Sequence, residues 1–178
     1  MARLRLATVW LAGCSGCHMS FLDLDEWLIE LAALADIVYS PFIGVKVYPE
    51  GVDVVLVEGA VANAENDRFI RQVRARSKLL VSFGDCAVTG NVTALRNPVG
   101  GAEAVLRRSY LDPANDSPRL PLAVVPPLLD LVRPVHQVVP VDMFLPGCPP
   151  SAAKIRTVLE AVTAGKMPEL SGEQIRFG

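Results

Sequence analysis

Apolar positions along this chain alternate between the spacing of buried strands and that of amphipathic helices. Leu4 to Leu11, apolar apart from Arg5 and Thr8, predicts a buried strand. Ser20 then offers a helix cap, and Phe21, Leu24, Leu28, Leu31 and Leu34 recur at helical spacing through Ala35. Asp23, Asp25 and Glu26 fall in its first turns, where acidic groups suit the helix dipole. Ile37 to Ser40 reads as a second strand closed by Pro41, and Val52 to Val57 as a third ending at Glu58-Gly59. A helix over Ala64 to Ser77 leads to a fourth strand, Leu79 to Phe83. Helices to about Leu95 and over Val99 to Leu111 follow. Ten of the 14 prolines lie between Asp112 and Pro150, and a proline-dense segment supplies no central strand. Residues 112–140 therefore read as an extended surface loop. Val141 to Leu145 is the fifth strand, and Pro149-Pro150-Ser151 opens a last helix, Ala152 to Ala164. This alternation predicts an α/β fold in one domain, 1–178. Its core is a doubly wound parallel sheet of about five strands with helices on both faces.

Composition narrows the class. The 178 residues are 51% hydrophobic and 20% charged, with aromatics at 6%, an aliphatic mixture suited to a buried parallel sheet. A net charge of -2 and the lack of basic blocks interleaved with aromatics argue against nucleic acid. Mean hydropathy is +0.35, yet no run approaches the roughly 18 apolar residues of a membrane span. The surplus apolar character points to surface buried against other subunits, with a large α/β core as the plainer alternative. Leu11-Ala12-Gly13-Cys14 mimics a lipoprotein cleavage site, but the apolar stretch behind it is short and Arg5 abuts it. Cleavage there would also remove the first strand. The expectation is a cytoplasmic chain, where paired thiols more often mean metal or redox chemistry than disulfides.

The four cysteines carry the chemistry. Cys14 and Cys17 form a C-x-x-C pair after strand one, Cys86 follows strand four and Cys148 follows strand five. Parallel strands put all four on one rim of the sheet, where α/β proteins build their sites. Gly13, Gly16, Gly84 and Gly147 let the backbone turn sharply and approach a bulky group. Exposed N–H groups of such turns can hydrogen-bond cluster sulfides. A cubane iron–sulfur cluster takes four thiolates. Structural zinc takes four as well, though usually from two close pairs, and a thiol-redox C-x-x-C would leave Cys86 and Cys148 without a part. The architecture looks flavodoxin-like, which raises FMN as a second cofactor. A flavodoxin phosphate loop would be rich in Ser and Thr, whereas here the first turn is Gly13-Cys14-Ser15-Gly16-Cys17-His18.

Other candidates cluster around these turns. Glu58, at a strand end among apolar neighbours, reads as a carboxyl of raised pKa able to relay protons, or as a simple turn cap. His18 is placed to donate to a cluster or to line an interface. Asp85 reads as fixing the turn that presents Cys86, and Pro149 flanks Cys148 in the same cradle. Met19, Met143 and Phe144 read as packing residues, and His136 has no assigned part.

These motifs together resemble a family. Gly13-Cys14-Ser15-Gly16-Cys17, Val57-Glu58-Gly59, Gly84-Asp85-Cys86-Ala87-Val88-Thr89-Gly90-Asn91 and Pro146-Gly147-Cys148-Pro149-Pro150, in that order, resemble the small subunit of nickel–iron hydrogenases and its relative in respiratory complex I. The resemblance implies a flavodoxin-like subunit in which Cys14, Cys17, Cys86 and Cys148 ligate one proximal [4Fe–4S] cluster beside the nickel–iron site of a large subunit. The complex I relative typically carries adjacent cysteines, so the separated pair here favours hydrogenase. A leaderless, one-cluster chain resembles the cytoplasmic bidirectional, NAD-reducing type, as does Cys17-His18-Met19-Ser20-Phe21-Leu22-Asp23. The implied function is electron relay to a NAD-reducing flavin/iron–sulfur module, with no catalysis by this chain alone. The alternatives are a complex I-like quinone-reductase cluster subunit and a zinc-stabilised scaffold. Two departures stand out. His18 and Met19 occupy the place where many hydrogenases have a glutamate, so that residue's proton role does not carry over. Asn91 replaces the second glycine of the commoner Gly-Gly.

Overall fold

The computed structural model describes residues 3–112 and 117–177. Along the chain run β1 (Leu4–Trp10), α1 (Gly16–Leu22), α2 (Trp27–Leu34), β2 (Ala35–Tyr39), β3 (Val52–Glu58), β4 (Val61–Asn63) and α3 (Ala64–Arg76). Then come β5 (Ser77–Phe83), α4 (Asp85–Thr89), a 3₁₀ segment (Asn91–Val99), α5 (Gly101–Leu106), β6 (Leu128–Arg133), β7 (Met143–Leu145) and α6 (Ala152–Thr163). Five strands pair in parallel in the order β2-β1-β3-β5-β7. With β4 and β6 set aside, this is the doubly wound order of flavodoxin-like sheets.

The strand sequences account for the two-sided burial. In β3, Val54 and Leu56 pack on one face with Phe21, Trp27, Leu31, Ile155 and Leu159 of α1, α2 and α6. Val55 and Val57 face the other way, against Ile70 and Val73 of α3 and Val135 and Val139. Alternate residues of one strand thus feed two cores, and the strand reads as nearly continuous apolar sequence. The short edge strand β7 is held from its flank. Asp142 accepts from the Leu80 N–H at 2.7 Å, its own N–H reaches the Leu80 carbonyl at 3.0 Å, and its carboxylate pairs with Arg74. No helix of the described residues is long and apolar enough to cross a membrane.

Several sequence expectations need correction. The helix expected over 20–35 is two helices broken at residues 23–26. Asp25 there adopts a positive φ of 48°, a conformation short polar residues tolerate, and three acids within four residues repel one another. Ser20 is no cap: it is buried within α1, and its hydroxyl donates to the Pro150 carbonyl at 2.5 Å. After Cys86 the α-helix ends at Thr89 and continues as the 3₁₀ segment, because Gly90 takes the left-handed region at φ 89°. The 112–140 stretch, of which residues 113–116 lie outside the described residues, is not all loop. Leu128–Arg133 forms β6, antiparallel to β4 in a two-stranded sheet apart from the main one.

The core makes a direct prediction. Leu56 is fully buried whereas Leu122 is 73% exposed. Leu56→Ala should cost about 2–5 kcal/mol through transfer and cavity terms, and Leu122→Ala within about 0.5 kcal/mol. Chemical denaturation of both variants alongside the parent chain checks the contrast.

Candidate metal centre

The carboxyl ends of β1, β3, β5 and β7 share a rim, and the turns that leave them meet there. Cys14, Cys17, Cys86 and Cys148 all line one cavity of about 70 Å³, with Gly16, Glu58, Asp85, Gly147 and Pro149. The β5 and β7 turns are locked together by reciprocal bonds: Asp85 N–H donates to the Gly147 carbonyl at 2.9 Å, and Gly147 N–H donates to Asp85 Oδ1 at 2.6 Å. Gly84 N–H adds a bond to the Leu145 carbonyl at 2.8 Å, and Lys154 Nζ holds the Pro146 carbonyl at 2.8 Å. The relative placement of Cys86 and Cys148 is therefore fixed by hydrogen bonds between their turns and not by the thiols themselves.

Two glycines are required by close approach. A Cβ on Gly84, whose φ is 83°, would lie 2.1 Å from Cys17 Sγ. A Cβ on Gly59, at φ 89°, would meet the Ala12 backbone at 2.8 Å, where the Ala12–Ala60 bridge ties the β1 and β3 turns. The sulfurs differ in setting. Cys17 is buried, Cys86 intermediate, and Cys14 and Cys148 exposed. Burial, followed by Glu58 and then the Cys86, Cys14 and Cys148 thiols, pushes the Cys17 thiol far above its ordinary value. Burial also raises Cys86; Thr93 and the Val92 N–H pull it back, while Cys14 and Cys148 add to the rise. Polar hydrogens reach two others: Gly16 N–H lies 3.4 Å from Cys14 Sγ, and Asn91 Nδ2 lies 3.4 Å from Cys148 Sγ.

Behind the cavity sits a buried polar pair. Glu58 and His18 are each 1% exposed. Glu58 Oε2 accepts from the His18 N–H at 3.0 Å and contacts His18 Nδ1. The imidazole packs edge-on to Phe42 and Phe83 with centroids at 5.6 and 6.3 Å, and its Nε2 has no hydrogen-bond partner. Four sulfur donors on one cavity form a donor set suited to soft thiolate-bound groups, zinc or iron–sulfur. Among the described residues no three His, Cys, Asp or Glu side chains are grouped to hold one ion; the sulfurs border a volume instead. Thiols that resist ionisation where they stand become good ligands once a bound cation supplies the compensating charge.

Comparison with known proteins identifies the family. The family described as NADH ubiquinone oxidoreductase, 20 Kd subunit, matches residues 14–162. The chain belongs to this family. Among its relatives is the NAD-reducing hydrogenase HoxS subunit delta of Cupriavidus necator, 34% identical over 98% of this chain and 86% of the relative. A vhu-type F420-non-reducing hydrogenase subunit of Methanocaldococcus jannaschii is 35% identical over 93% of this chain, which spans only 58% of that relative's length. A solved NAD+-reducing [NiFe]-hydrogenase in the H2-reduced state aligns with a TM-score of 0.94 at 38% identity, covering 99% of this chain and 100% of that one.

Within the family framework, the structure gathers the four cysteines, Gly16, Glu58, Asp85, Gly147 and Pro149 on the cavity itself. His18, Gly13 and Gly84 stand behind it. Gly13 makes room beside Gly59 and Glu58, as Gly84 does for Cys17. Asp85 fixes its turn as the sequence suggests. Of the residues read as packing, only Met143 is buried; Met19 is 54% and Phe144 43% exposed. Thr93, which touches Cys86, was invisible to sequence reasoning, since a lone threonine two residues past a turn carries no signal.

The uneven settings predict uneven reactivity in the metal-free chain. The thiolate is the nucleophile, so a raised pKa leaves less of it at a given pH. At pH 8, iodoacetamide should modify Cys14 and Cys148 first and Cys17 at least about tenfold more slowly. Peptide mass spectrometry over time reads the order, and Cys17 should catch up only as the pH rises.

Proposed function

We propose that Cys14, Cys17, Cys86 and Cys148 hold one [4Fe–4S] cluster and that the chain serves as the electron-transfer small subunit of a nickel–iron hydrogenase. The observation that carries the reading is the convergence of four thiols from three separate strand ends on one cavity. When bound, such a cluster supplies one-electron storage at a potential set by burial and by hydrogen bonds to its sulfurs. The chain's own work is to bind, shield and position. β1, β5 and β7 fix the ligands, the Cys17 side is closed by apolar packing, and the Cys14 and Cys148 side is left open.

The open side supports a partner. Exposed Met19, Phe42, Val92 and Leu95 come from the segments that carry or flank the cysteine turns and the His18 ring, in keeping with a large subunit that presents a nickel–iron site there. The proposed onward acceptor is a flavin/iron–sulfur module that reduces NAD, in the cytoplasm. The likeness to a chain of an NAD+-reducing [NiFe]-hydrogenase, 38% identical with a TM-score of 0.94, supports the NAD-linked reading. The first turn is given to Cys14 and Cys17, which leaves FMN without a phosphate loop in this chain.

Anaerobic co-expression with the candidate large subunit, followed by metal and sulfide analysis, tests the centre. About four irons and four sulfides per chain are expected; one zinc and no absorbance near 400 nm, a rough marker of iron–sulfur centres, would defeat it. Cys148→Ala should lose or degrade the cluster and uncouple dihydrogen oxidation from NAD reduction. Glu58, hydrogen-bonded to His18, is proposed as a proton relay. Glu58→Gln should slow turnover with an altered pH profile, and an unchanged profile removes that part.

A further inference from the structure

Asn91 stands where the chain leaves α4 and turns into the 3₁₀ segment. Its φ is 35°, directly after Gly90 at 89°. Two successive left-handed residues favour glycine at both places, and a side chain in that region costs on the order of 1–2 kcal/mol, less for asparagine than for most. The backbone thus does not ask for asparagine. What the side chain does is specific: Nδ2 points at Cys148 Sγ from 3.4 Å.

The segment that presents this amide is firmly anchored. Thr93 Oγ1 donates to the Ala12 carbonyl at 3.2 Å. Arg96 spreads its guanidinium over the carbonyls of Ala62, Leu129 and Asp130 at 3.1, 2.6 and 2.9 Å. Asn97 exchanges two bonds with the Val132 backbone at 2.9 and 2.8 Å. The small β4–β6 sheet is in this sense a mount for the segment that aims Asn91. Cys148 is one of the exposed ligands, on a turn whose own N–H groups are partly committed to Asp85.

We propose that Asn91 is a tuning residue: its side-chain amide donates to the Cys148 sulfur and holds the reduction potential of the bound cluster above the value a glycine would give. The inference rests on the iron–sulfur reading above. Uptake of one electron adds negative charge to the cluster and its thiolates, and an N–H donor aimed at a ligand sulfur stabilises the more negative state. Removing the donor lowers the potential.

The test is a redox titration of the assembled enzyme, followed by EPR, on the parent, Asn91→Gly and Asn91→Asp, with iron and sulfide analysis of each. Glycine suits the left-handed turn and removes the donor; aspartate keeps the size of the side chain and replaces the donor with an acceptor. Both variants should keep their iron and show a potential lowered by about tenfold in the one-electron equilibrium, about 59 mV, with the aspartate shift at least as large. An iron-loaded variant with an unmoved or raised potential overturns the assignment and leaves the cluster reading intact. Loss of iron from both variants also overturns it, by making Asn91 a holding residue. A parent enzyme without iron defeats the cluster reading and the Asn91 proposal together.

Discussion

The site depends on one constraint: β1, β3, β5 and β7 run in the same direction and lie side by side. Shared direction puts every carboxyl end on one rim, and adjacency brings the turns within reach of one another. The reciprocal Asp85–Gly147 bonds then convert proximity into a fixed spacing between the turn of Cys86 and the turn of Cys148. Without the pairing of β5 with the three residues of β7, Cys148 would hang on a proline-rich connector. The Arg74–Asp142 clamp beside that short strand belongs to the same problem, since a brief edge strand gains little from its own ladder.

Packing and chemistry are joined at Cys17. Its sulfur lies in the space that glycine leaves at position 84, and its side chain belongs to the core that contains Phe21, Phe83 and Ile155. The burial that makes the thiol reluctant to ionise also screens one flank of the cavity from water. Glu58 adds to that reluctance and holds the turn through the His18 N–H. A charged ligand set in such a place is favourable only with a cation to offset it, so under the proposed function binding of the cluster would also stabilise the fold.

Much of this was legible in the sequence because parallel strands are simple objects. Each strand of the main sheet appears as an apolar run, and each thiol follows one, so the rim could be assembled from order alone. What escaped was geometry that residue type does not encode. Ser20 looks like a helix cap by identity, yet it is buried and serves the Pro150 carbonyl from across the fold. The break at Asp25 hides within an unbroken helical periodicity because Leu24 stays buried through the turn. β4 and β6 escaped because one is three residues long and the other sits in proline-rich sequence.

Exposure is the remaining asymmetry. Cys17 is enclosed while Cys14 and Cys148 face outward, and the exposed apolar side chains Met19 in α1 and Val92 and Leu95 in the 3₁₀ segment follow the Cys17 and Cys86 turns. A thiolate-bound cluster left half open would meet water and oxidant on that side, and exposed apolar residues gain from being covered. Under the proposed function the two facts have one cause: the partner that exchanges electrons with the centre also completes its wall. The high mean hydropathy of a chain with no membrane-spanning helix among its described residues then reflects, in part, a core finished by another subunit. Electron transfer and assembly are on this view the same contact, and the side chains that border the open sulfurs are where a change in one should be felt in the other.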